Sequence, residues 1–192
     1  MLSLFAPLLA VLAFSAAPES NPVPGSIAPP ANWSLAGKVH EPKATLDFKV
    51  VQAPGKDTPK DSPQWSVVSF RGCDNIELKA DLRMPPGRGR KPAVIVLGGD
   101  RKSIAPLAFL ICRKGYAVLS IDMAGVGPRK EKDTPELKDL KPSHLMRYGS
   151  QTIVDLRRCV DMLTSRSDVD RSRIAFVGFS VGGTVGARFF VD

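Results

Sequence analysis

The chain has little that titrates near neutral pH: two histidines, His40 and His144, in 192 residues. Chemistry that needs an imidazole base therefore has two candidates to draw on. Cysteine is almost as sparse. Cys73, Cys112 and Cys159 are odd in number and lack metal-ligand spacing, so they define neither a zinc site nor a disulfide framework. Cys112 and Cys159 fall on apolar helix faces, where a small buried thiol is expected. No internal repeat is visible. The apolar run from Leu2 to Ala17 is too short for a comfortable membrane span. The net charge is +8, yet its local basic clusters carry no interleaved aromatics and no nucleic-acid motif. Arg88, Arg90 and Lys91, and Arg129, Lys130 and Lys132, read as solvated loop charge, and no nucleic-acid partner is expected.

What is present divides the chain in three. An apolar content of 43% is that of a globular protein. Residues 1–17, apolar and ending in small residues, read as a signal peptide and predict export to the periplasm or medium. No Lys or Arg precedes the run, and Pro18 sits just after the cut at Ala17; Ala13-Phe14-Ser15 offers another site. No lipobox-like cysteine follows, so no membrane anchor is expected after cleavage. Residues 18–43 read as a Pro-rich linker. It holds one glycosylation-type triplet, Asn32-Trp33-Ser34. Residues 44–192 read as one folded domain.

Within that domain Ala44 to Ala53 and Trp65 to Phe70 read as strands. Glu77 to Met84 alternates apolar and charged residues, as a half-buried strand does. Ala93 to Leu97 is a continuous apolar run, expected of a central parallel strand. A helix over Ile104 to Lys114 follows, closed by Gly115. Tyr116 to Ile121 is the next strand, and Arg129 to Ser143 a charged loop. Ile153, Leu156, Val160 and Leu163 then mark a second helix. Asp168-Val169-Asp170 is expected to turn the chain into a last strand, Ile174 to Phe179. The alternation predicts an α/β fold, a mostly parallel sheet flanked by helices.

That last strand runs into Gly178-Phe179-Ser180-Val181-Gly182-Gly183, and Thr184 to Val191 continues as a helix. This is the G-x-S-x-G pattern in a strand–turn–helix setting. Such a turn holds the serine in a strained conformation. A β-carbon at Gly178 or Gly182 would crowd the neighbouring strand and helix. The turn lifts the Ser180 hydroxyl to the sheet edge, where the first N–H groups of the next helix, Val181's among them, face any anion formed there.

On these residues the chain resembles the α/β-hydrolase superfamily over Trp65 to Asp192. Ala93 to Gly99 is similar to the strand leading to the oxyanion loop. Gly115 to Gly127 is similar to the strand and turn after it, and Asp170 to Gly183 to the nucleophile elbow. The Gly-Phe-Ser-Val-Gly-Gly form most resembles dienelactone-hydrolase-like and acetyl-esterase-like members; prolyl-oligopeptidase-like peptidases share much of the pattern. The resemblance implies Ser180 as nucleophile and Val181 as one oxyanion N–H. It implies Gly99 or Asp100 as the second. Many relatives have a histidine where Leu97 stands. Asp122 matches a common family position and reads as a loop-holding residue rather than the catalytic acid. The implied activity is acyl transfer on a small-molecule carboxylic ester, with no metal and no organic cofactor.

In this superfamily an acid and then a histidine follow the serine. Here twelve residues follow Ser180, with Asp192 the only acid among them. Both histidines precede the serine and read as surface residues. The strand before Ser180 also lacks a later strand to cover its far side, which leaves an apolar edge. The chain therefore reads as a C-terminally truncated hydrolase with its last strands missing. The alternative is a non-catalytic interaction protein that retains part of the same sheet.

Overall fold

The computed structural model describes residues 9–15, 34–35, 38–132, 134–135, 139 and 141–191. Among them the order of elements is β1 (Leu9–Ser15), β2 (Ser34–Leu35), β3 (Lys38–Val39), β4 (Lys49–Gln52), β5 (Gln64–Arg71) and β6 (Glu77–Met84). Then come β7 (Lys91–Leu97), α1 (Ala105–Arg113), β8 (Ala117–Ile121), α2 (Pro142–Ser165), β9 (Val169–Phe179) and α3 (Val181–Val191). Seven strands form one sheet in the order β1-β9-β7-β8-β6-β5-β4. Its centre is parallel, β7 pairing with both β8 and β9. The flanks are antiparallel: β6 on β8, β5 on β6, β4 on β5, and β1 on β9. The expectation of a mostly parallel sheet thus holds at the centre, and the sheet as a whole is mixed.

Alternation along the central strands sorts the core onto two faces. Ala93, Ile95 and Leu97 of β7, with Ile174 and Phe176 of β9, pack against Ile153, Leu156, Cys159 and Leu163 of α2 and Val185 of α3. Val94 and Val96 point the other way, onto Ala108 and Cys112 of α1, with Ala175 and Val177 alongside. A strand covered on both faces needs apolar residues at every position, which is why β7 reads as an unbroken run. All three cysteines are buried and outside any disulfide, and burial pushes the Cys112 thiol up to about 11.

Several boundaries differ from the sequence reading. The strand expected over Ala44 to Ala53 is confined to β4, a short exposed edge strand carrying Lys49, a common way of blunting a sheet edge. β9 starts at Val169 rather than after the polar stretch. Lys91 N donates to the Asp168 carbonyl at 2.9 Å, and Lys91 stands opposite Val169, so the first residue of β7 pins the start of β9. Inside the expected linker, Ser34–Leu35 pairs with Lys38–Val39; residues 18–33 lie outside the described residues. The largest departure is at the far edge of β9, expected to be open. Leu9–Ser15 lies along it in antiparallel register, Leu9 opposite Phe179 and Ser15 opposite Arg173. No helix among the described residues is long and apolar enough to cross a membrane.

Candidate active site

The parallel register brings two turns together at one sheet edge. Leu97 at the end of β7 stands opposite Gly178 near the end of β9, so the Gly98–Arg101 loop and Ser180 leave the sheet side by side. Ser180 takes φ +55°, a left-handed conformation that side chains other than glycine rarely adopt. Its neighbours enforce it. A β-carbon on Gly178 would lie 2.6 Å from the Gly182 carbonyl oxygen and the Gly183 α-carbon. One on Gly182 would run into the Leu97 carbonyl and lie 3.2 Å from the Gly98 α-carbon. One on Gly186 would enter the Phe176 ring. The first turns of α3 therefore press against the ends of β7 and β9, which a bulkier sequence could not achieve. Ser180 itself is exposed.

Gly183 N donates to the Ser180 carbonyl at 2.9 Å, so α3 begins directly at the turn. Val181, the first residue of α3, has an N–H of the kind that finds no acceptor within its own helix. That end of α3 carries the positive end of the helix dipole. The Asp100 side chain is turned inward on its own loop. It accepts from Lys102 N and Ser103 N at 3.0 Å and from Ser103 Oγ at 2.6 Å, and the Ser103 contacts hold its carboxyl below the usual range.

Asp122 is 2% exposed and ties the loops together. Its Oδ1 accepts from Arg101 N at 2.8 Å, and its Oδ2 pairs with Arg101 Nε at 2.9 Å. Its carbonyl accepts from Arg129 Nη1 at 2.8 Å, and Arg129 Nη2 reaches Asp155 Oδ2 at 2.7 Å. The loop-holding role read from sequence is the one its bonds describe. The two arginines that complete the arrangement carried no signal, since each meets its partner across a loop rather than within a motif. Arg129, expected from the sequence to be solvated loop charge, is instead half-buried in an ion pair with Asp155.

Neither imidazole is hydrogen-bonded to Ser180 among the described residues. His40, read as a surface residue, is partly buried, its Nε2 2.9 Å from Asp161 Oδ2 on α2. His144 sits in the first turn of α2, where its Nδ1 accepts from Lys141 N at 3.1 Å. Asp192 lies outside the described residues. No group of three or more His, Cys, Asp or Glu among the described residues is placed to hold a metal ion.

A parallel sheet centre, a strained serine at the turn into a glycine-packed helix, and a glycine loop beside it define an α/β-hydrolase fold. The chain resembles several known proteins. The candidate hydrolase YtaP of Bacillus subtilis (strain 168) is 32% identical over 95 residues, 49% of this chain and 31% of YtaP. A candidate acetyl xylan esterase from Bacteroides fragilis NCTC 9343 superposes with a TM-score of 0.62 at 12% identity, covering 77% of this chain and 45% of that one. Acetyl xylan esterase 1 from Thermoanaerobacterium sp. JW/SL YS485 gives 0.56 at 13% identity, over 74% and 47%. The chain thus spans about a third of the curated relative and under half of these solved structures. No family model matches it.

Proposed function

We propose that this chain carries the nucleophile side of a serine hydrolase acting on carboxylic esters. The observation that supports it most is the φ of +55° at Ser180, held between glycines that tolerate no β-carbon. Strain of this kind persists where surrounding packing over-determines it, and it collects at functional sites. In the reaction a base takes the Ser180 Oγ proton as Oγ attacks the ester carbonyl carbon. Val181 N–H and an N–H of the Gly99–Asp100 loop donate to the oxyanion. Collapse expels the alcohol, protonated by the same base, and water then releases the acyl group.

Neither His40 nor His144 bonds to Ser180 among the described residues, so no general base or orienting acid is in place there. Without them catalysis falls by roughly 10⁴–10⁶. A small diffusible base should therefore replace part of the missing function. With p-nitrophenyl acetate and added imidazole, Ser180 should become acetylated, detected by peptide mass, with no acetylation in Ser180→Ala. Equal acetylation in Ser180→Ala, or none in the unaltered protein, would contradict it.

A second reading, a non-catalytic interaction protein, is favoured by the same lack of an imidazole at Ser180. It predicts a failed acetylation at every imidazole concentration. The proposal also includes export with loss of residues 1–17, which N-terminal sequencing of the secreted protein tests. Such cleavage would remove β1 and uncover the edge of β9.

A further inference from the structure

Two donors were open for the second oxyanion contact, Gly99 N–H and Asp100 N–H. The peptide planes around Asp100 separate them. The Gly99 carbonyl accepts from Met123 N at 3.1 Å, so it points toward the chain leaving β8. In a trans peptide the N–H of the next residue points the opposite way, and the described residues include no cis peptide bond. Asp100 N–H is therefore directed away from β8. The strand on that other side of β7 is β9, whose end carries Ser180.

The following peptide is fixed as well, and by one residue. Arg101 gives its backbone N–H to Asp122 Oδ1 and its Nε to Asp122 Oδ2, so it uses both oxygens of a buried carboxylate. Its Nη1 reaches Asp81 Oδ1 on β6 at 3.1 Å. A planar guanidinium held at two carboxylates has little rotational freedom, and a lysine could not reproduce the fork. We propose that Arg101 is a positioning residue: its clamp on Asp122 and Asp81 aims the Asp100 N–H at the oxyanion of an acyl group on Ser180. The effect on rate rests on the acyl-transfer reading; the effect on the loop does not.

The test uses Arg101→Ala and Arg101→Lys in the full chain, with two readouts. The first is phosphonylation of Ser180 by a fluorophosphonate ester, whose phosphoryl oxygen occupies the oxyanion position. The maximal rate should fall about tenfold or more in Arg101→Ala, as expected when an oxyanion donor is misaimed. The half-saturating concentration should not change. Arg101→Lys should fall between the two. The second readout is hydrogen exchange, where the amide of residue 101 should lose protection in Arg101→Ala while those of β8 keep theirs. Unchanged rate and unchanged protection would overturn the proposal. If the unaltered protein is not phosphonylated at Ser180, the acyl-transfer reading fails, and exchange alone decides the clamp: lost protection at residue 101 supports it, and retained protection sinks it.

Discussion

The Leu97 carbonyl oxygen faces the Gly182 α-carbon with no room for a β-carbon between them. Both partners are backbone, so neither can swing aside as a flexible side chain would. Gly182→Ala should cost about 3 kcal/mol or more, because relief requires prising α3 from β7. Gly149 supplies the contrast. It lies within α2 with nothing within 4 Å of its would-be β-carbon. Gly149→Ala should stabilise by about 0.5–1 kcal/mol. Urea unfolding of the two variants reads both signs.

Strain at Ser180 makes a prediction of the opposite sense from most substitutions. Glycine accepts φ +55° without penalty, whereas alanine keeps the β-carbon that is strained there. Ser180→Gly should be more stable than Ser180→Ala by about 1 kcal/mol. Equal melting temperatures for the two would mean that the turn stores no strain.

Arg158 fills all its donors at once. Nε donates to the Arg71 carbonyl, Nη1 to the Glu41 carbonyl and Asp161 Oδ2, and Nη2 to the Ala44 and Thr45 carbonyls, all at 2.9–3.2 Å. It is 3% exposed and fastens the segment before β4 to α2. Arg158→Ala should cost about 3–5 kcal/mol, the range for removing one partner of a buried charged network. Lysine has three donors on a single nitrogen and should recover only part of that. A full recovery in Arg158→Lys, measured by urea unfolding, would reduce the site to a simple charge.

Asp155 gives a pH dependence with a definite sign. It is buried, and desolvation raises its carboxyl above the usual value despite Arg129 beside it and the Cys73 N–H at 2.7 Å. Between the unfolded value and that raised one, the folded state holds the proton and the unfolded state does not. Its contribution is therefore fully present below the unfolded value and is lost as pH rises through the folded one. The stability of the unaltered protein relative to Asp155→Asn should decline with rising pH across that window. A rising difference would reverse the assignment.

The parts of the fold visible in the sequence are those made by local pattern. Glu77 to Met84 alternates and is β6 to the residue; the apolar run after Pro92 is the buried part of β7. The glycines around Ser180 announced a turn that the backbone confirms. What stayed hidden depends on partners distant in sequence. His40 meets Asp161 across 121 positions, and Arg101 meets Asp122 across 21. The early part of β9 was hidden because Asp170, Ser172 and Arg173 bond to one another and look like a turn. Leu9–Ser15 has the composition of a signal peptide and of a buried strand alike, and composition cannot separate the two.

The most direct test of the central claim is to learn which residue a serine-directed fluorophosphonate modifies. The protein is incubated with the reagent, with and without imidazole, then digested and mapped by mass. A single adduct on Ser180 is expected, formed faster with imidazole and absent from Ser180→Ala. Modification at another residue, or none under either condition, would contradict the assignment of Ser180 as nucleophile.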